Sequence, residues 1–216
     1  SNSILSVKSL KKRFGGLEAV NVDSFELYEG EITSLIGPNG AGKTTFFDLI
    51  TRFQSADSGS IFLNEKNVTK LNSYKLARLG MVRTFQLTRV FDRMSVYENM
   101  KFAGSSIKNE GFLKSLIQTK TLKQQEDHLN VKIDETLKLL NLIEMKDSYA
   151  RELSGGQKKL LELGRSLMKN PKILLLDEPL AGVNPKLSEE LLEIILNLNS
   201  QGINILMVEH NIDAVM

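Results

Sequence analysis

The sequence predicts an α/β fold in which a mostly parallel sheet carries an inserted helical lobe. Short apolar runs rich in β-branched residues, at Ile4–Leu10, Glu31–Ile36, Ser60–Leu63, Ile173–Asp177 and Ile203–Val208, read as strands. The last two are almost continuously apolar, the pattern of strands covered on both faces in a parallel sheet. Strands and helices alternate toward both ends, whereas the middle, from about Val96 to Lys169, is helix-rich. The α/β core is therefore expected over 3–95 and 170–216, and the lobe over about 96–169.

Three stripes at helical spacing support the helices: Ile133, Leu137 and Leu140; then Leu160, Leu163, Leu167 and Met168; then Leu187, Leu191, Ile194, Ile195 and Leu198. Between Lys108 and Asn130 the chain is polar and lysine-rich, with Phe112, Leu113, Leu116 and Ile117 on one helix face. Packing of that face on its own domain is the expectation, and contact with a partner is the alternative.

The composition excludes several classes. A chain of 216 residues suffices for one sizeable domain with a smaller inserted lobe. With 28 basic against 26 acidic residues the formal charge is only +2, which argues against a nucleic-acid binder and leaves the Lys8–Arg13 cluster as a solvated face. Absence of cysteine removes disulfides, thiolate catalysis and cysteine metal sites. No apolar stretch approaches the roughly 18 residues that cross a bilayer, so any membrane role is expected to come through partners. Ser1-Asn2, without a methionine, is read as a remnant and left aside.

Gly37-Pro-Asn-Gly-Ala-Gly-Lys-Thr-Thr45 spaces its glycines, lysine and threonine as a phosphate-binding loop, and it lies between a strand and a helix opened by Phe46, Phe47, Leu49 and Ile50. Glycines at 37, 40 and 42 let consecutive backbone N–H groups turn toward phosphate oxygens, and the following helix adds its positive end. Asn39, Gly40, Gly42, Lys43, Thr44 and Thr45 are the candidate nucleotide contacts, Lys43 for the β and γ phosphates and Thr44 also for magnesium. The loop alone does not distinguish kinase, GTPase, helicase or transporter motor.

Ile173-Leu-Leu-Leu-Asp177-Glu178-Pro179 is a buried strand ending in two acids at the edge where α/β sheets bind ligands. Adjacent strand residues face opposite ways, so the acids take different roles: Asp177 holds magnesium through water, and Glu178 orients and deprotonates the attacking water. Leu153-Ser154-Gly155-Gly156-Gln157 precedes a helix, with Ser154 at its N-cap and two glycines leaving backbone N–H groups uncovered. This is a second candidate anion site, made by Ser154, Gly155, Gly156 and Gln157.

In this order, the phosphate loop, Leu-Ser-Gly-Gly-Gln and Asp-Glu resemble the ATPase domain of ABC transporters. The resemblance implies a P-loop NTPase core with an antiparallel β element beside the parallel sheet, ATP and magnesium as ligands, and hydrolysis of ATP to ADP and phosphate. It also implies a dimer in which each signature helix faces the nucleotide held by the other subunit. Gln86, in Arg83-Thr-Phe-Gln, matches the glutamine that contacts magnesium and senses the membrane partner. His210, in Val208-Glu-His-Asn211, matches the switch histidine at the γ phosphate, and Phe14 matches the ring stacked on adenine, a position more often tyrosine. Asn184, in Ala181-Gly-Val-Asn184, stands where aspartate is commoner, yet it can cap the helix after Pro185. The chain ends at Met216, where the family continues with further strands, so a shortened C-terminus is expected.

Within that family, Arg13-Phe-Gly-Gly-Leu17, Met81-Val-Arg-Thr-Phe-Gln86, Ala181-Gly-Val-Asn-Pro185 and Val208-Glu-His-Asn211 are similar to the ATP-binding subunits of branched-chain amino acid importers, as is the lysine-rich stretch around Gly111 to Lys120. Partners implied are two permeases, a periplasmic binding protein and a second ATPase subunit, at the cytoplasmic face of the inner membrane. Arg83, Phe85 and exposed apolar residues of the lobe are the candidate permease contacts. The ATPase of lipopolysaccharide transport and a urea or amide importer are the alternatives. A soluble ABC ATPase of translation or DNA repair belongs to another class; the chain has one cassette and no sustained heptads.

Overall fold

The computed structural model describes residues 2–38, 40–84, 90–105 and 119–210, the side chains of 119–122 excepted. The chain forms two compact units, Ser1–Gln86 with Lys172–Met216, and Leu87–Pro171. No helix among the described residues is long and apolar enough to cross a membrane.

The strands of the first unit are β1 (Ser3–Phe14), β2 (Leu17–Tyr28), β3 (Ile32–Ile36), β4 (Ser58–Leu63), β5 (Lys66–Asn67), β6 (Met81–Arg83), β7 (Ile173–Asp177) and β8 (Asn204–Glu209). They form two sheets: an antiparallel one in the order β2-β1-β4-β5, and a parallel one in the order β3-β8-β7-β6. The antiparallel element thus stands as a sheet of its own. Strands β2, β5 and β6 are absent from the sequence expectation, and β1 runs on to Phe14.

Local chemistry explains the antiparallel sheet. Asn64 and Glu65, between β4 and β5, both have positive φ (47° and 64°), as a two-residue hairpin turn of matching twist requires. In β1, Ser9 is left-handed (φ 49°), and pairing with β4 shifts register between Lys8 and Lys11. The backbone there swings against Gly59, where an ideal Cβ would lie 2.5 Å from the Ser9 carbonyl oxygen. Only glycine admits that approach.

Every residue of β7 and β8 is buried. Helix α1 (Lys43–Ile50) sets Phe46, Phe47, Leu49 and Ile50 into one core with Leu175, Leu206 and Val208, and with Leu5, Val7, Leu10, Leu27 and Ile61 of the antiparallel sheet. Each such side chain contributes about 1.5–3 kcal/mol by leaving water. Helix α2 (Ser73–Arg78) starts at Asn72, whose side chain accepts from the Lys75 N–H.

In the second unit, α3 (Val96–Ser105), α4 (Thr119–Leu139) and α5 (Gly155–Leu167) bury Val96, Met100, Ile133, Leu137, Leu160, Leu163 and Leu167. Ser95 and Glu98 form a capping box at the start of α3. Gly164 lets α5 approach closely, since a Cβ there would lie 2.8 Å from the Leu140 side chain. Back in the first unit, α6 (Pro185–Ser200) buries Leu191, Ile194, Ile195 and Leu198, while Leu187 is only half-buried.

Candidate functional site

Strand register brings three chain segments to one edge. Ile36, the last residue of β3, pairs with Glu209 of β8, and Asp177, the last of β7, pairs with Val208. Gly37, Glu178 and His210 therefore leave the parallel sheet side by side. The Gly37 N–H donates to the Glu209 carbonyl at 3.3 Å, and the Glu178 N–H to the Val208 carbonyl at 2.9 Å. This is the carboxyl edge, where open α/β sheets bind ligands.

The loop after β3 owes its path to glycine. Gly40 (φ 85°) and Gly42 (φ 83°) are left-handed, and an ideal Cβ on Gly42 would sit 2.2 Å from the Ala19 carbonyl oxygen of β2. Gly42 is also the N-cap of α1, and among the described residues no side chain caps that helix. The first-turn N–H groups, including those of Lys43, Thr44 and Thr45, are thereby available to an outside acceptor such as phosphate. The Lys43 ammonium arches over the loop, donating to the Gly37 carbonyl and, at 2.8 Å, to that of Pro38. Its positive charge thus stays beside the helix end, and Thr44 is exposed on the first turn.

At the acidic end, the Asp177 side chain is 2% exposed. Its Oδ2 lies 2.5 Å from Arg83, whereas its buried Oδ1 accepts no hydrogen bond among the described residues. The next residue, Glu178, has φ 47°, outside the extended region, so strand alternation ends between the two acids. A non-glycine residue held there stores strain of order 1–3 kcal/mol, which is characteristic of functional positions. Glu178 Oε2 faces His210 Nδ1 at 3.9 Å, too far for a hydrogen bond.

In the second unit, Ser154 is the N-cap of α5. Its hydroxyl accepts from the Gln157 N–H at 3.2 Å, and Gln157 Oε1 accepts from the Ser154 N–H at 2.9 Å. Ser154 and Gly155 are exposed, and nothing lies within 4 Å of a Cβ built on Gly155. The sequence expectation of a cap holds. It did not foresee that the Gln157 side chain closes the box.

Comparison with known proteins decides the family, because residues 20–181 match the ABC transporter family. The chain belongs to the ABC transporter family. It is 41% identical over 217 residues to the high-affinity branched-chain amino acid transport ATP-binding protein LivG of Escherichia coli K12, covering 100% of this chain and 85% of that protein. Identity to the high-affinity branched-chain amino acid transport ATP-binding protein BraF of Pseudomonas aeruginosa is 40% over the same shares. A crystal structure of an ATP-binding cassette of an ABC transporter in its ADP conformation is similar with a TM-score of 0.85 at 38% identity, covering 100% of this chain and 84% of that one.

Other residues singled out for this ABC ATPase fall as follows. Phe14, 47% exposed, ends β1 with the Lys12 ammonium 5.4 Å from its ring centre. Asn184 caps α6, accepting from the Leu187 N–H at 2.9 Å with Pro185 at the first helical position. Asn39, Gln86, Phe85 and the apolar face at 112–117 lie outside the described residues.

Arg83 is placed differently from its expected role. Named as a candidate permease contact, its side chain is 10% exposed and ion-paired to both Asp48 (2.6 Å) and Asp177. An arginine with one buried and one half-buried acid in reach gains more from them than from water. Sequence reading also missed Glu209, 1% exposed, whose Oε1 accepts from the Leu180 N–H at 3.0 Å and so ties the end of β8 to the segment after Glu178. No local pattern could have revealed either, since the partners of Arg83 lie 35 and 94 residues away and that of Glu209 lies 29 away.

The donor set suits magnesium. Among the described residues no cluster of three His, Cys, Asp or Glu could hold a metal, whereas magnesium beside phosphates needs only one or two protein ligands and keeps its waters. Buried Asp177 Oδ1 and the Thr44 hydroxyl are the oxygens that fit.

Proposed function

We propose that this chain is the ATP-binding and ATP-hydrolysing subunit of an importer for branched-chain amino acids. The observation that carries this reading is its likeness, along the whole chain, to proteins named for that transport. The subunit works at the cytoplasmic face of the inner membrane with two permeases, a second ATPase subunit and, indirectly, a periplasmic binding protein.

Chemistry is assigned residue by residue. The phosphate loop and Lys43 bind the β and γ phosphates of ATP, and Phe14 stacks on adenine. Glu178 takes a proton from water as the water oxygen bonds to the γ phosphorus, and the bond to the β–γ bridging oxygen breaks, leaving ADP and phosphate. His210 and Gln86 orient the γ phosphate and the water. Asp177, Thr44 and Gln86 hold magnesium, which when bound neutralises charge on the phosphates. Ser154, Gly155, Gly156 and Gln157 serve the nucleotide of the partner subunit, so two chains enclose two ATP molecules.

The test is uptake of radiolabelled leucine at low concentration in a strain lacking the gene and any other branched-chain importer. Uptake is expected to be lost, and restored by the parent gene but not by Lys43→Ala. Unchanged uptake in the deletion strain sinks the substrate assignment, and a lipopolysaccharide delivery defect in its place would redirect it.

A further inference from the structure

One guanidinium joins three elements of the first unit. From the end of β6, Arg83 reaches Asp48 of α1 at 2.6 Å through one terminal nitrogen and Asp177 of β7 at 2.5 Å through the other. The rings of Phe47 and Phe53 flank it, with centres 5.5 and 5.6 Å from its central carbon. Such a planar fork, packed against aromatic faces, holds a carboxylate in one orientation, which a flexible ammonium cannot do. Helix α1 begins at Lys43 and Thr44, so the same group links the phosphate-binding helix to the strand that ends in Asp177.

We propose that Arg83 is the positioning residue of the magnesium carboxylate. By engaging Asp177 Oδ2 it fixes the side chain so that Oδ1, buried and accepting no hydrogen bond among the described residues, is the oxygen left for the magnesium shell. This inference rests on the assignment of Asp177 to magnesium made above. Charge and orientation predict opposite outcomes. Two carboxylates and one guanidinium leave one negative charge; removal of Arg83 leaves two, which by Coulomb attraction alone would draw magnesium more tightly. If orientation dominates, magnesium binds more weakly.

The experiment uses the full chain and binding of AMP-PNP, a non-hydrolysable ATP analogue, measured in EDTA and across a MgCl2 titration. For Arg83→Met the MgCl2 needed for half-maximal enhancement is expected to rise about 10- to 100-fold, the usual effect of losing an outer-shell partner. Affinity in EDTA is expected to stay close to the parent's. Arg83→Lys, which keeps the charge but not the fork, should fall between. An unchanged or lowered magnesium midpoint in Arg83→Met, or equal loss of binding in EDTA and in MgCl2, overturns the proposal. If Arg83→Met does not fold, Arg83→Lys decides, and parental behaviour in that variant overturns it equally. A parent protein, or an Asp177→Asn control, that shows magnesium to be irrelevant sinks the underlying magnesium assignment; a normal parent and an impaired Asp177→Asn beside an unimpaired Arg83→Met sink this inference alone.

Discussion

His210 Nδ1 faces Glu178 Oε2 across 3.9 Å, though the two residues leave different strands. The side chain of Glu178 is 12% exposed and that of His210 42%, so the acid is sheltered while the imidazole is open to solvent.

Replacing Glu178 by glutamine keeps the size and removes the proposed base. Phosphate release is expected to fall by roughly 10²- to 10⁴-fold while ATP binding persists. Parallel binding and turnover assays separate the two effects, and parental turnover would place the base elsewhere.

Gly42→Ala sets a methyl group 2.2 Å from the Ala19 carbonyl and forces an L-residue into φ 83°. The conformation alone costs about 1–2 kcal/mol, and relief of the clash has to move the loop. Both melting temperature and ATP affinity should drop. Gly155→Ala, with open space around its Cβ, should leave melting unchanged, and similar losses in both variants would refute the steric account.

Mixed dimers test the sharing of sites between subunits. When Ser154→Arg is paired with a subunit carrying Lys43→Ala, one composite site bears both lesions and the other neither. At most half of the parental sites should then hydrolyse ATP; two working sites per dimer contradict the sandwich.

Asp57 offers a pH test. It accepts from the Arg13 backbone N–H at 2.7 Å and from the Lys12 ammonium at 3.2 Å, and these contacts, the backbone one foremost, hold its carboxyl below the ordinary 3.8. Because the folded value is the lower one, the contact stabilises the fold above about pH 3.8 and fades as pH falls through the folded value. An NMR titration should find the Asp57 midpoint depressed, and Asp57→Asn should lose this part of the acid dependence. A midpoint at the ordinary value would refute it.

Motifs whose chemistry depends on consecutive residues were legible in the sequence. The phosphate loop and the Ser154 cap each carry their geometry within a few positions; the strand ending at Asp177 was legible too, but not the left-handed turn at Glu178 that ends the expected alternation. Strand β2 was not legible. Val20 and Val22 alternate correctly, and so do Phe25 and Leu27, but the two pairs are out of phase. The buried set of β1 changes phase in the same way between Val7 and Leu10, around left-handed Ser9. Period-two reading fails across such a slip. Strand β6 is three residues long and gives no periodicity at all. The pairing of Arg83 was not legible either, because nothing near it in the chain announces Asp48 or Asp177.

The contact between Gly42 and the Ala19 carbonyl extends the nucleotide site beyond its motifs. The height of the β2 backbone sets the clearance beneath the phosphate loop. A substitution in the hairpin of β1 and β2 that lifts this strand slightly would therefore register as weakened ATP affinity, although it alters no residue able to touch a phosphate. Mutants recovered by a screen for lost nucleotide binding should include such positions, and the damage would lie in the floor of the loop, not in its chemistry.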